Sequence, residues 1–235
     1  MKRFAALFQQ IDQTTKINPK VAALAAYFRE APEEDRLWTV ALFSGRRPRR
    51  AVTTTRLREW AAERAGIPLW LFEEAYPIVG DLAETIALIL PPHSRETDLG
   101  LSHWINTLRG LGNVPEEDRK PVVLDAWDQL PPVERFLFNK LITGGFRIGV
   151  SQKLMTRALA QATDRDEAEL AHRLMGDWTP ETTTWHDLIV AEDAARTCRG
   201  PIPSTSPISW TMGPKPLATL PIGGPNGNGM ASAGS

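Results

Sequence analysis

The sequence predicts an all-α fold: an irregular multi-helix bundle in two helical halves, followed by a disordered C-terminal tail. Three observations predict it. Apolar residues recur three and four positions apart through most of residues 1–195, a spacing that lines one face of a helix. Capping residues and prolines stand where these segments begin, and glycines where they end. No two segments alternate as a strand pair would, and no solenoid-type repeat is present.

The elements follow in order. Phe4, Leu7, Phe8 and Ile11 line the first helix. Asn18-Pro19 reads as an N-cap with proline at the first helical position, where a missing N–H costs nothing. Val21, Leu24, Ala25 and Phe28 then face inward. Pro32-Glu33-Glu34 starts the next helix, with Leu37, Val40 and Ala41 inside and Gly45 as its stop. A threonine cap near Thr55 opens Leu57, Trp60, Ala61 and Arg64, closed by Gly66. Leu69, Phe72 and Tyr76 continue the pattern, and Asp81 caps Leu82 to Leu90.

Pro91 to Asp98 has no apolar period and reads as a surface linker between the halves. Ser102 begins Trp104, Ile105 and Leu108. Pro115-Glu116-Glu117-Asp118 begins Val122, Val123, Ala126 and Leu130. Pro131-Pro132-Val133-Glu134 starts Phe136, Leu137 and Leu141. Asp166 to Met175 and Pro180 to Ile189 supply two more helical segments. Tryptophans and phenylalanines at this spacing are core residues and receive no ligand-stacking role.

Composition narrows the function classes. The apolar fraction is 42% with eight tryptophans, ample for a core, and the formal charge is only −1. The distribution of charge says more than its sum. Seven arginines lie between Arg46 and Arg64 against Glu59 and Glu63, while acids collect in Glu116-Glu117-Asp118 and from Asp164 to Glu169. Basic strips on a neutral protein suit a DNA clasp and equally suit a solvated helix surface. Cys198 stands alone, which excludes an intrachain disulfide or a cysteine zinc site. His93, His103, His172 and His186 lack metal-ligand spacing. The Phe4–Phe8 patch lacks the features of a signal peptide, and the run Ile86–Leu90 is far too short to span a bilayer. A cytoplasmic protein is expected.

The segment Thr143-Gly144-Gly145-Phe146-Arg147-Ile148-Gly149-Val150-Ser151 carries the chemistry. Three glycines let the backbone turn sharply and approach a partner closely. Ser151 caps a helix through Leu154 and Ala158. Exposed N–H groups feeding a helix start form a ready phosphate site. From Arg135 to Thr163 there are five bases (Arg135, Lys140, Arg147, Lys153, Arg157) and no acid, which favours an anion-contacting turn over a plain connector.

This turn resembles the hallmark turn in the N-terminal DNA-binding domain of ATP-dependent DNA ligases, especially the bacterial two-part enzymes. Gly45-Arg46-Arg47-Pro48-Arg49-Arg50, Thr53 to Trp60, and the opening Met1-Lys2-Arg3-Phe4-Ala5 resemble the same family. The resemblance covers residues 1–195. It implies an all-helical domain that clasps nicked double-stranded DNA through backbone phosphates and the minor groove, without sequence preference, while a separate domain performs the chemistry with ATP and a divalent metal. Gly144, Gly145, Arg147, Gly149 and Ser151 are then expected at a phosphate, with Lys153 and Arg157 along the following helix. Arg46, Arg47, Arg49 and Arg50 form a second candidate contact. Phosphate contacts fix position and carry no sequence information. With six of them, affinity should fall roughly 10³-fold between 50 and 200 mM salt. The alternative is a helical protein-interaction module whose basic strips meet an acidic partner.

Composition changes abruptly after Arg196. From Thr197 to Ser235 the only charges are Arg199 and Lys215, and no apolar period survives. Residues 196–235 are expected to be disordered. Members of the family continue into a nucleotidyltransferase domain marked by Lys-x-Asp-Gly, whose lysine takes AMP as a phosphoramide. No lysine here is followed by x-Asp-Gly, so no catalytic residue is assigned, no cofactor is expected in this chain, and it should not seal nicks by itself. Reading the codons of Asn226–Ala233 one nucleotide earlier permits Glu-Trp-Lys-Trp-Asp-Gly-Ile-Arg. The same shift over Gly200–Ser204 permits Arg-Pro-Tyr-Pro-Phe. Both peptides resemble the family at the proper order, which suggests a frameshift near residues 196–199 and a domain cut off before its catalytic core.

Overall fold

The computed structural model describes residues 1–95, 97–144 and 149–190. Gly145 to Ile148 and the segment from residue 191 to 235, with the expected tail, Cys198 and Trp210, lie outside the described residues. Among the described residues there is no strand. Eleven α-helices follow one another there: α1 (Lys2–Asp12), α2 (Ile17–Glu30), α3 (Glu33–Phe43), α4 (Thr54–Ala65), α5 (Leu69–Val79), α6 (Leu82–Ile89), α7 (Leu101–Leu111), α8 (Glu116–Gln129), α9 (Pro132–Thr143), α10 (Gln152–Thr163) and α11 (Glu167–Met175). A π-helical turn, His186–Val190, ends the described chain. The fold is all-α, as the sequence predicts.

The helices interleave along the chain. α2 packs most extensively on α10, and α1, α3 and α11 join that group. α6 packs most extensively on α9, with α4, α5 and α8 around them. α7 touches α3 on one side and α9 on the other. The consequence bears on the site: the chain crosses between the two groups twice in short connections, at residues 44–53 and at 144–151. Those are the two segments singled out for their arginines and glycines.

Local chemistry explains most boundaries. Asp81, Ser151 and Asp166 each accept a hydrogen bond from the N–H three residues on, as N-caps do. Gly66, Gly80 and Gly144 close α4, α5 and α9 in the left-handed conformation. Three boundaries differ from expectation. α2 begins at Ile17 with Lys16 as its cap, so Pro19 sits within the first turn, where its missing N–H would lack an intrahelical partner anyway. Thr53, two residues before the expected cap, accepts from the Arg56 N–H. Pro180–Ile189 is not one α-helix: a turn at Thr179–Thr182 precedes the π-helical turn. The hydroxyl of Thr179 meets that of Thr182, and Thr184 accepts from the Asp187 N–H, bonds that compete with a regular helix.

The cap of α7 comes from another helix. Asp35 on α3 accepts from the N–H groups of Leu101 (3.1 Å) and Ser102 (2.8 Å). A side chain at Gly100 would come within 2.7 Å of its carboxylate. Asp35 is buried, so truncation strands two helix donors. Asp35→Ala is expected to cost about 2 kcal/mol in urea unfolding, where a solvated role would give almost nothing.

The core contains Trp38, Trp60, Trp104, Trp127, Trp178 and Trp185, whereas Trp70 on α5 is 66% exposed. Two cations from the acid-free sequence window turn out to be structural. Arg135 is fully buried and donates to the carbonyls of Trp127 and Pro91, which pins the expected linker to the end of α8. Lys140 pairs with Asp81 from α6. Although burial pushes the Asp81 carboxyl up, the Lys140 ammonium and the capped N–H groups outweigh it and hold the group below its usual range. No described helix is long and apolar enough to cross a membrane.

Glu134 at the start of α9 behaves oppositely. It is buried, its Oε2 has no hydrogen-bond partner among the described residues, and burial pushes its carboxyl up. A folded value above the unfolded one gives stability that is full below the unfolded value and lost as pH rises through the folded one. Glu134→Gln is therefore expected to raise Tm at neutral pH and to lose that advantage once acid protonates the native glutamate in both states. An equal effect at all pH values would contradict this.

Candidate nucleic-acid interface

The turn between α9 and α10 is built from both ends. α9 stops at Gly144, whose N–H donates to the Lys140 carbonyl at 2.8 Å with φ +83°. That amide is engaged in the cap of α9. Gly149 resumes the described chain, again left-handed at φ +61°. Ser151 accepts from the Leu154 N–H, and its carbonyl accepts from the Met155 N–H. No hydrogen bond within the described residues uses the N–H groups of Gln152 and Lys153, which begin α10. They carry the partial positive charge of the helix start. Gly145 and Arg147, the centre of the expected contact, lie outside the described residues.

The arginine loop docks on this turn. Arg47 donates from Nη1 to the Gly144 carbonyl, and Arg50 donates from Nη2 to the Thr143 carbonyl at 3.2 Å. Both therefore also neutralise the carbonyl end of α9. A Cβ at residue 144 would lie 2.9 Å from the Arg47 Cζ, so only glycine lets the guanidinium cross there. Arg47, Arg49 and Arg50 are exposed. A guanidinium carries five N–H donors, so one bond to a carbonyl leaves others facing solvent. Arg49 makes no hydrogen bond or ion pair within the described residues. Arg46 differs. It is half-buried, donates to the carbonyls of Leu174 and Gly176, and stacks 4.3 Å over the Trp178 ring. Its guanidinium fastens the loop to the end of α11. The sequence treats turn and loop as two separate segments; the fold ties the loop to the end of α9 through Arg47 and Arg50.

The remaining arginines of the strip follow another pattern. Arg56 pairs with Glu59 and Glu116, Arg58 with Glu73, and Arg64 with Asp128. These are ion-paired surface residues on α4. By contrast Arg47, Arg49, Arg50, Lys153 and Arg157 have no carboxylate partner among the described residues. Lys153 and Arg157 are exposed on the first turns of α10. Lys153 also lines a cleft with Asp166, Glu167 and Met175, so acids from α11 stand nearer to it than the sequence window suggests. Among the described residues no three His, Cys, Asp or Glu side chains gather as a metal site requires.

Sequence reasoning missed Lys16 and Lys20. Lys20 on α2 places its Nζ 3.3 Å from where a Cβ at Gly149 would stand. The signal available was their spacing, four residues apart at the start of a helix. What was missing is that α2 packs on α10.

A family model described as DNA ligase N terminus matches residues 1–160. Among curated proteins, none matches.

Proposed function

We propose that this chain, which belongs to the family of DNA ligase N-terminal domains, grips nicked double-stranded DNA by its phosphates and leaves the chemistry of sealing to another domain. The observation that carries the proposal is the docking of the 46–50 loop on the end of α9, where Arg47 and Arg50 donate to the carbonyls of Gly144 and Thr143. The exposed guanidinium groups of the loop have no carboxylate partner among the described residues, Gly144 and Gly149 are left-handed, and no hydrogen bond within the described residues uses the N–H groups of Gln152 and Lys153. In the proposed role Arg47, Arg49, Arg50, Arg147 and Arg157 meet phosphate oxygens, and Gly145, Gly149 and Ser151 supply close backbone approach. Gly144 shapes the turn, and Arg46 holds the loop in place. Contacts of this kind read the rail and not the bases, so binding is indifferent to sequence.

The test is fluorescence anisotropy with the whole chain and labelled nicked duplexes of two unrelated sequences. Equal affinities are expected, with poly-glutamate a poor competitor. Strong competition by poly-glutamate, with weak DNA binding, would instead favour an acidic protein partner. Incubation with labelled ATP is expected to leave no AMP on the protein, because no Lys-x-Asp-Gly is present to receive it.

A further inference from the structure

We propose that Lys20, with Lys16 four residues before it at the cap of α2, makes a further phosphate contact beside Gly149 and Ser151, so that the grip extends from α10 onto α2. This rests on the DNA-gripping reading above. The geometry begins with helix direction. Lys20 lies at Gly149, and Arg29, further along α2, donates to the Gln161 carbonyl near the end of α10 at 2.6 Å. The two helices therefore run parallel, with their starts at the same end of the bundle. Lys16, Lys20 and Lys153 all belong to that end, as the cap of α2, its first turn and the first turn of α10.

The other described lysines behave differently. Lys2 pairs with Asp98, Lys120 with Glu63 and Lys140 with Asp81. Lys16, Lys20 and Lys153 have no ion pair among the described residues, and neither has Asp12, the acid that precedes them in the chain. Packing of α2 on α10 thus brings Lys16 and Lys20 to the end where Lys153 stands, and of the three only Lys153 shares a cleft with acids, Asp166 and Glu167 of α11. Lys20 is half-buried, and its tip reaches Gly149. A long stem packed against apolar surface leaves the charged head where the fold directs it. Holding the head in place beforehand lowers the ordering cost of binding. Lys16 at the cap and Lys20 in the first turn, four residues apart at the start of α2, suit successive phosphates of a strand. A small free anion would use one of them.

The experiment measures the affinity of the full chain for a short nicked duplex against salt, from roughly 50 to 200 mM. Each lost phosphate contact makes the slope of log K against log salt shallower by about 0.9. Lys20→Gln is expected to lose about one such step and the Lys16→Gln/Lys20→Gln pair about two, with Lys120→Gln unchanged. Lys16 is exposed, so Lys16→Gln removes charge without touching the α2–α10 interface. Should Lys20→Gln lose its helical circular dichroism, the Lys16→Gln slope decides. A wild-type slope in these variants overturns the inference and leaves the DNA grip standing. Failure of the wild-type chain to bind at all sinks the grip itself.

Discussion

Reversing Arg47 and Arg50 together to glutamate is expected to weaken binding to nicked duplex about 100-fold at low salt. Two phosphate contacts become two repulsions, and each lost contact also removes its share of released counterions. The same two side chains touch the carbonyl end of α9, so the reversal also sets negative charge where the helix end disfavours it. The neutral pair Arg47→Gln/Arg50→Gln separates the effects. It keeps amide donors for the carbonyls and should weaken binding about 10-fold with helicity intact. Unchanged affinity in both would mean that these arginines merely cap α9.

Gly144→Val is expected to damage both fold and grip. Residue 144 is left-handed, and a β-branched side chain there is strained by roughly 1–2 kcal/mol or more. Its Cβ would also displace the Arg47 guanidinium. A fall in Tm of several degrees should accompany at least a 10-fold loss in DNA affinity. Leu108→Ala, buried in α7 and outside both the 46–50 loop and the end of α9, is the control: it should lower Tm through the cavity it leaves and keep affinity near wild type. Loss of affinity in both variants alike would show that Gly144 acts only through stability.

Much of this architecture was legible in the sequence because helix chemistry is local. Asp81, Ser151 and Asp166 cap as their side chains dictate, and Gly66 and Gly144 end helices as only glycine does cheaply. Asp35 could not be assigned, because its partners Leu101 and Ser102 are brought to it by packing. The same applies to the site. An acid-free window of sequence does not make an acid-free surface: Asp81 reaches Lys140 from another helix, and Arg135 turns inward to carbonyls. Conversely, Arg47 and Gly144 are far apart in the chain and touch in the fold. Lys20 comes to Gly149 for that reason, through the parallel pairing of α2 and α10.

Underlying these variants is one quantity, the number of phosphates that the wild-type domain neutralises. It is read most directly from the affinity of the whole chain for nicked duplex across a salt titration. With about six contacts, log K should fall against log salt with a slope near −5. A slope close to zero, with binding retained, would contradict a grip on the phosphate rail.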